Sequence, residues 1–158
     1  NTIFKFLFYW IYSSRTLQII QDTIHINNFK KIEFYTHVFE SSAISEEDER
    51  FQFADRLLKI YSQSSLILTS RLHCMLPSLS FGVPSIYFNQ VRDNELSSCR
   101  KRGIIELFNM IDLDRSSVVN NPFGKIENIS NIKNKNNFLN YVKKLEITIK
   151  DYLNEKES

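Results

Sequence analysis

The sequence predicts an α/β fold in which a parallel sheet carries helices on both faces. Short apolar runs at 66–69 and 85–88 show no polar alternation, which is typical of strands buried on both sides. Stretches with apolar residues at three- and four-residue spacing separate such runs, as in repeated strand–helix units. A length of 158 residues with 42% hydrophobic residues suits one domain with a substantial core. Together these observations predict a single Rossmann-like domain over residues 1–158.

The first elements are predicted from apolar runs and capping residues. Strands are expected at 3–12 and 31–39, where aromatic and β-branched residues cluster. Between them a helix is expected to begin at Ser13 or Ser14, whose side chains can cap it. One face of this helix carries Leu17, Ile20 and Ile24. Because the run at 3–12 contains Lys5 and is half the length of about 20 residues that a bilayer-spanning helix needs, no transmembrane segment is predicted.

The middle of the chain carries the strongest pattern. A second helix is predicted to open at 45–48, where Ser-Glu-Glu-Asp has the form of a capping box. Its apolar stripe, which we expect to pack on the sheet, consists of Phe51, Ala54, Leu57, Leu58 and Tyr61. A strand at 66–69 then leads through a turn into a helix that ends near Gly82, and a further strand follows at 85–88. Pro77 cannot donate a backbone hydrogen bond, so this helix either begins late or kinks.

The last third of the chain is predicted to be less regular. A helix is expected after Gly103, with apolar residues Ile104, Ile105, Leu107, Phe108 and Ile111. The Asn- and Lys-rich segment 118–136 is expected to be an exposed connection, and 137–154 a final amphipathic helix. Since the sequence lacks an initial Met and begins in a strand-like run, we expect it to be part of a longer protein.

Composition excludes several kinds of partner and cofactor. Twenty basic and 18 acidic side chains give a net charge of +2, without the basic field of a nucleic-acid binder. Cys74 and Cys99 lack the spacing of metal ligands, no cluster of carboxylates has that spacing, and no Gly-rich dinucleotide motif is present. We therefore expect no metal and no cofactor. Because the two cysteines lie in unlike sequence contexts, we expect free thiols, which favour a reducing, cytoplasmic location.

The turn that follows the strand at 66–69 is the candidate functional site. In open parallel sheets, ligands bind beyond the carboxyl ends of the strands. Ser70 can cap the turn, whose N–H groups favour an anion, and Arg71 offers a planar fork for a carboxylate or phosphate. His73 can exchange a proton near neutral pH. The spacing alone leaves a second interpretation open, in which these residues form a helix cap with a surface ion pair.

Several motifs in this region resemble the polysaccharide pyruvyl transferase family. Residues 50–61 are similar to a helix that begins with Arg-Phe and ends with Tyr in that family. The strand, the Ser-Arg-Leu-His turn at 70–73 and the Gly-Val-Pro exit at 82–84 follow in the family's order. Residues 100–103 are similar to an Arg-x-x-Gly pattern that precedes an apolar helix. The resemblance covers about residues 45–111.

The resemblance implies an architecture and a reaction. It implies a glycosyltransferase-B-like fold of two Rossmann-type halves, of which this chain would be the C-terminal, donor-binding half. Members move the enolpyruvyl unit of phosphoenolpyruvate onto two hydroxyls of a sugar in a cell-surface polysaccharide, which leaves a cyclic ketal and free phosphate. Arg71 is accordingly assigned to the anionic groups of the donor, and His73 to acid–base chemistry or phosphate contact. The chain alone is expected to be an incomplete enzyme.

Further residues are assigned on the same basis. Ser70 and Leu72 are expected to contribute backbone groups, with the Leu72 side chain packing inward. Arg100 is predicted as a second anion contact, for which Arg92 and Arg102 are alternatives. The remaining histidines, His25 and His37, are assigned to the scaffold.

The expected partners are phosphoenolpyruvate, a sugar or lipid-linked oligosaccharide acceptor, and the N-terminal half of the same protein. The expected location is cytoplasmic, or peripheral at the inner face of the membrane. Two other functions stay open. One is a nucleotide-sugar glycosyltransferase of the same architecture, in which the turn would hold a diphosphate. The other is a non-catalytic sugar-binding module.

Overall fold

A computed structural model describes residues 4–7, 14–25, 32–35, 47–92, 101, 103–115 and 117–157. The strands are β1 (Phe4–Leu7), β2 (Ile32–Tyr35), β3 (Leu66–Thr69), β4 (Ser85–Gln90), β5 (Asn109–Asp114) and β6 (Ser117–Asn120). The α-helices are α1 (Ser14–Thr23), α2 (Glu47–Ser62), α3 (Leu72–Ser80) and α4 (Phe138–Glu157). Short 3-10 helices lie at Ile105–Leu107 and Ile129–Asn131.

The six strands form one sheet in the order β2-β1-β3-β4-β5-β6. Neighbouring strands from β2 to β5 are parallel, and β6 is antiparallel to β5. The predicted α/β class with a parallel sheet is therefore confirmed. The chain passes from β1 to β2 on one side and then to β3 on the other side of β1. This reversal makes the carboxyl ends of β1 and β3 the topological switch point, where ligands bind in open α/β sheets.

Helices cover both faces of the sheet. Alternate strand residues point to opposite sides, so each face presents apolar side chains against which a helix packs. On one face, Leu68 and Phe88 share a buried cluster with Ile20 of α1. On the other face, Ile67 packs with Tyr61 of α2 and Cys74 of α3. A third cluster on that second face places Tyr87 of β4 against two residues of α3, Met75 and Leu79. We call this second face the α3 face.

The apolar stripe of α2 is only partly buried. Tyr61 is buried and Leu57 half-buried, whereas Phe51 is 63% exposed and Leu58 is 37% exposed. Ala54 is exposed as well. The prediction that the whole stripe packs on the sheet is wrong for the first turns. A helix of 16 residues is about 24 Å long, but strands of four residues such as β3 cover only about 13 Å.

The helix predicted after Gly103 is absent from the described part of that segment. Ile105–Leu107 form a single 3-10 turn, and β5 begins at Asn109. Phe108 is fully buried, and Ile111 enters the core from a strand. The apolar spacing from Ile104 to Ile111 fits a helix face, but the alternation of Ile111 and Leu113 with aspartates has the two-residue period of a strand.

The segment at 118–136 is not simply an exposed connection. It contains most of β6, and it buries Ile126 and Ile132 in the cluster around α1. Asn134 reaches the sheet, where its Oδ1 accepts from the N–H of Ser85 at 3.0 Å and its Nδ2 donates to the carbonyl of Val83 at 2.7 Å. The expectation of exposure is therefore wrong for these residues, because long-range contacts draw the segment onto the domain.

The final helix lies close to its predicted bounds of 137–154 and forms α4. Phe138, at its start, packs against the cluster around Tyr87. Most of the following apolar residues are exposed, among them Leu145 and Ile149. None of the helices in the described ranges combines the length and apolar character that crossing a membrane requires.

Candidate functional site

Arg71 lies at the N-cap of α3, directly after β3. Its backbone is extended, with φ −110° and ψ 123°, and its carbonyl accepts from the N–H groups of Cys74 at 3.2 Å and Met75 at 3.0 Å. The side chain of Arg71 makes no capping hydrogen bond to the helix. Thr69 fixes the turn, because its Oγ1 accepts from the N–H of Arg71 at 3.1 Å. The prediction that Ser70 provides the capping hydroxyl is therefore wrong.

The four residues of the Ser-Arg-Leu-His turn differ in exposure. Ser70 and Arg71 are half-buried, and His73 is exposed. Leu72 is half-buried and packs against the cluster that contains Met75 and Tyr87, which confirms its inward orientation. The turn thus carries a guanidinium and an imidazole on the two residues that flank half-buried Leu72, at the positive end of a helix.

Pro77 lies inside α3, which begins at Leu72 rather than at Ser70. Late initiation is one of the two options that the sequence left open. Because Pro77 has no N–H, it cannot donate to the carbonyl of His73 one turn earlier. Nearby, Oγ of Ser78 donates to the carbonyl of Cys74 at 2.7 Å. The helix ends where the N–H of Gly82, at φ +72°, donates to the carbonyl of Leu79 at 2.9 Å.

Beneath the turn lies a buried group of polar side chains from three elements. Cys74 and Thr69 are 0% exposed, and Tyr61 of α2 is 2% exposed. Burial raises the pKa of the Cys74 thiol to about 11, although hydrogen bonds with Thr69, Ser78 and Tyr61 oppose the shift. Burial, together with the neighbouring Cys74, also raises the pKa of the Tyr61 phenol. Both groups are therefore neutral at physiological pH.

Comparison with known proteins identifies the family of this chain. The profile described as polysaccharide pyruvyl transferase matches residues 9–90. The matched range contains α1, β2, α2, β3, the turn at 70–73, α3 and β4. It spans 82 of the 158 residues, which is more than half of the chain. The chain belongs to the polysaccharide pyruvyl transferase family.

The resemblance inferred from the sequence is confirmed, and the family's name denotes a transferase. The profile match begins earlier than the resemblance, which started near residue 45, and it ends before the Arg-x-x-Gly pattern at 100–103. Neither the curated proteins nor the solved structures gave a match to this chain.

A polar cluster that the sequence analysis missed lies at the carboxyl ends of β4 and β5. Asn89 and Asp112 are partners in the ladder, and Nδ2 of Asn89 donates to Oδ1 of Asp112 at 2.9 Å. Nδ2 of Asn120 donates to the other oxygen of Asp112 at 3.0 Å. Asn89 follows Tyr87 by two residues, so the cluster shares the α3 face and the edge at which α3 begins. In the sequence, the signal for this cluster is that polar residues follow directly on the buried strand at 85–88.

Of the arginines considered as a second anion contact, Arg92 is the one that lies in the described residues. Its Nη2 forms an ion pair with Oδ2 of Asp114 at 2.8 Å. Oδ1 of Asp114 is buried and has no hydrogen-bond partner within the described part of the chain. Arg100 and Arg102 lie outside the described residues, so the contact assigned to Arg100 stays a prediction.

The other predicted roles concern the scaffold and metals. His25 follows α1, and its backbone N–H donates to the carbonyl of Ile126 at 3.1 Å. This bond lies beside a parallel β-bridge between Ile24 and Ile126. That contact is consistent with a scaffold role, whereas His37 lies outside the described residues. Across the ranges that the structure describes, no group of three or more His, Cys, Asp or Glu side chains is arranged to hold a metal ion.

Proposed function

We propose that this chain is the donor-binding half of a polysaccharide pyruvyl transferase that uses phosphoenolpyruvate. The observation that carries the proposal is the position of Arg71, at the start of α3 and at the carboxyl end of β3 beside the topological switch point. The family match includes this turn. In the proposal, a second Rossmann-type half of the same protein holds the sugar acceptor, in an arrangement like that of glycosyltransferase-B enzymes.

The chemistry of the donor fits the groups at this turn. Phosphoenolpyruvate carries a carboxylate and a phosphate, and the start of a helix favours anions through its N–H groups and dipole. The guanidinium of Arg71 can bind either anion through two parallel hydrogen bonds. His73, two residues further on and exposed, is assigned to proton transfer or to a contact with the phosphate.

The proposed reaction balances without a cofactor or a metal. The methylene carbon of the donor gains a proton and becomes a methyl group, while the neighbouring carbon bonds to the first sugar oxygen. The second sugar oxygen then bonds to the same carbon as the phosphate leaves. The two hydroxyl protons end on the methyl group and the released phosphate, and the product is a pyruvate ketal. The proposed acceptor is a sugar, free or lipid-linked, on the cytoplasmic side of the membrane.

A thermal-shift titration with three candidate ligands tests this proposal. We expect phosphoenolpyruvate to stabilise the chain, by about 2.7 kcal/mol at a concentration of 100 Kd, and uridine and guanosine diphosphates to have no effect. Arg71→Gln should abolish the stabilisation. Arg50→Gln, which removes an exposed guanidinium from α2, should leave it unchanged. Stabilisation by the diphosphates alone would overturn the proposal in favour of a nucleotide-sugar glycosyltransferase.

A second measurement separates catalysis from binding. In the protein that contains both halves, Arg71→Ala and His73→Ala should each abolish ketal formation from phosphoenolpyruvate and a sugar acceptor. Ketal formation that survives both changes would contradict the assigned roles. Binding of sugar without any ketal product would favour a non-catalytic module.

A further inference from the structure

The buried hydroxyl of Thr69 connects the sheet to the backbone of Arg71. Thr69 is the last residue of β3 and is 0% exposed. Its Oγ1 accepts from the N–H of Arg71 at 3.1 Å. This bond fixes the backbone of Arg71, which is the N-cap residue of α3 and lies two positions along the chain. A buried hydroxyl is costly unless it is hydrogen-bonded, and valine would fill the same volume in a buried strand. Valine at this position could not accept the hydrogen bond from Arg71.

The same hydroxyl is also linked by hydrogen bonds to two other buried side chains. Thr69 forms a hydrogen bond with the thiol of Cys74, which in turn forms one with the phenol of Tyr61. These three residues come from β3, α3 and α2, and all are at most 2% exposed. A chain of buried side chains thus runs from α2 to the N–H of Arg71. Such a fully buried network restricts the positions that the turn can adopt.

We propose that Thr69 is a positioning residue for Arg71 in donor binding. The inference rests on the proposed function, in which the Arg71 guanidinium binds the anionic groups of phosphoenolpyruvate. Thr69 does not touch the donor in this scheme and acts by fixing the extended backbone from which the Arg71 side chain leaves. Misplacing a binding group by about 1 Å can cost up to 100-fold in activity, so the loss of one turn hydrogen bond should be measurable.

Matched threonine variants of the full chain test this role. Thr69→Val should weaken the binding of phosphoenolpyruvate by about tenfold, and Thr69→Ser, which keeps the hydroxyl, should restore it to within about threefold. Thr23→Val is the control, because Thr23 is also 0% exposed and its Oγ1 donates to the carbonyl of Ile19 at 2.7 Å on the other face of the sheet. That variant should bind phosphoenolpyruvate as the unchanged chain does, even if it is equally destabilised.

A readout without ligand keeps the inference separate from the proposed function. By NMR without ligand, amide hydrogen exchange at Arg71 should be faster in Thr69→Val than in Thr69→Ser or Thr23→Val. If the unchanged chain does not bind phosphoenolpyruvate, the proposed function fails, and the exchange measurement alone decides the role of Thr69. Unchanged binding or unchanged exchange in Thr69→Val overturns the inference.

Discussion

Asn89 and Asp112 face each other across β4 and β5, and Nδ2 of Asn89 donates to Oδ1 of Asp112 at 2.9 Å. Since Asn120 donates to the second oxygen at 3.0 Å, one half-buried carboxylate joins three strands. This junction lies on the α3 face at the edge where α3 begins. The polar cluster therefore fixes the carboxyl end of β4 to β5 and β6.

We expect Asp112→Ala to lower the free energy of unfolding by about 1 to 3 kcal/mol, because two amide donors lose a charged acceptor. Urea unfolding followed by circular dichroism measures the change. Asp151→Ala, which removes an exposed carboxylate from α4, is the control and should stay within about 0.5 kcal/mol of the unchanged chain. Equal effects of the two substitutions would show that the cluster does not stabilise the sheet.

Phe108 and Tyr87 form the aromatic centre of the cluster on the α3 face. Their ring centroids are 5.7 Å apart at an interplanar angle of 45°, and both residues are at most 1% exposed. Phe108→Ala should lower the free energy of unfolding by about 3 to 5 kcal/mol, because it removes apolar contacts and leaves a cavity. Phe51→Ala on α2, where the side chain is 63% exposed, should cost less than about 1 kcal/mol in the same urea experiment. A small effect at Phe108 would contradict its place in the core.

Asn134 is expected to stabilise the amino edge of the sheet. Its side chain accepts from the N–H of Ser85 and donates to the carbonyl of Val83. Asn134→Ala should lower the free energy of unfolding by about 1 to 3 kcal/mol, because the N–H of buried Ser85 loses its acceptor. Asn131→Ala, at an exposed position in the same segment, should have little effect on urea unfolding. Matching losses in both variants would mean that the segment does not depend on these two bonds.

The regular α/β part of the fold could be predicted because its signals are local. Four consecutive buried residues form β3, and the strand at 85–88 proved to extend two residues further in β4. The site turn could be placed for the same reason, since it follows β3 directly. Strand parity also predicts which hydroxyl faces the helix: Ile67 faces α3, so Thr69 and not Ser70 points to that side.

The elements that could not be predicted depend on distant partners. The spacing from Ile104 to Ile111 suits either a helix or a strand, and pairing of β5 with β4 decides between them. Asn134 looks like one more residue of a polar segment, because its partners at Ser85 and Val83 are 49 and 51 positions away. The carboxylate of Asp112 likewise acquires its role only when β4 and β6 lie on either side of β5.

The stability of the domain should fall as the pH rises above 9, because Cys74 ionises less readily in the folded chain. The thiol has its ordinary pKa of 9.0 in the unfolded chain, whereas burial raises the pKa to about 11 in the folded chain. Above pH 9 the unfolded state therefore binds fewer protons than the folded state, and the free energy of unfolding decreases with pH. The loss reaches roughly 2 to 3 kcal/mol above pH 11, since one pKa unit corresponds to about 1.4 kcal/mol.

Urea unfolding of the unchanged chain and of Cys74→Ala between pH 8 and 11 measures this contribution. The variant should be less stable at pH 8, because it loses a buried side chain, but its stability should change little between pH 9 and 10. Above pH 10 both proteins should lose stability through Tyr61, whose phenol also has a raised pKa, and through Tyr35, whose pKa is raised to about 12 by its hydrogen bond to Glu33. The same slope in both proteins between pH 9 and 10 would contradict the burial of a neutral thiol beneath the Arg71 turn.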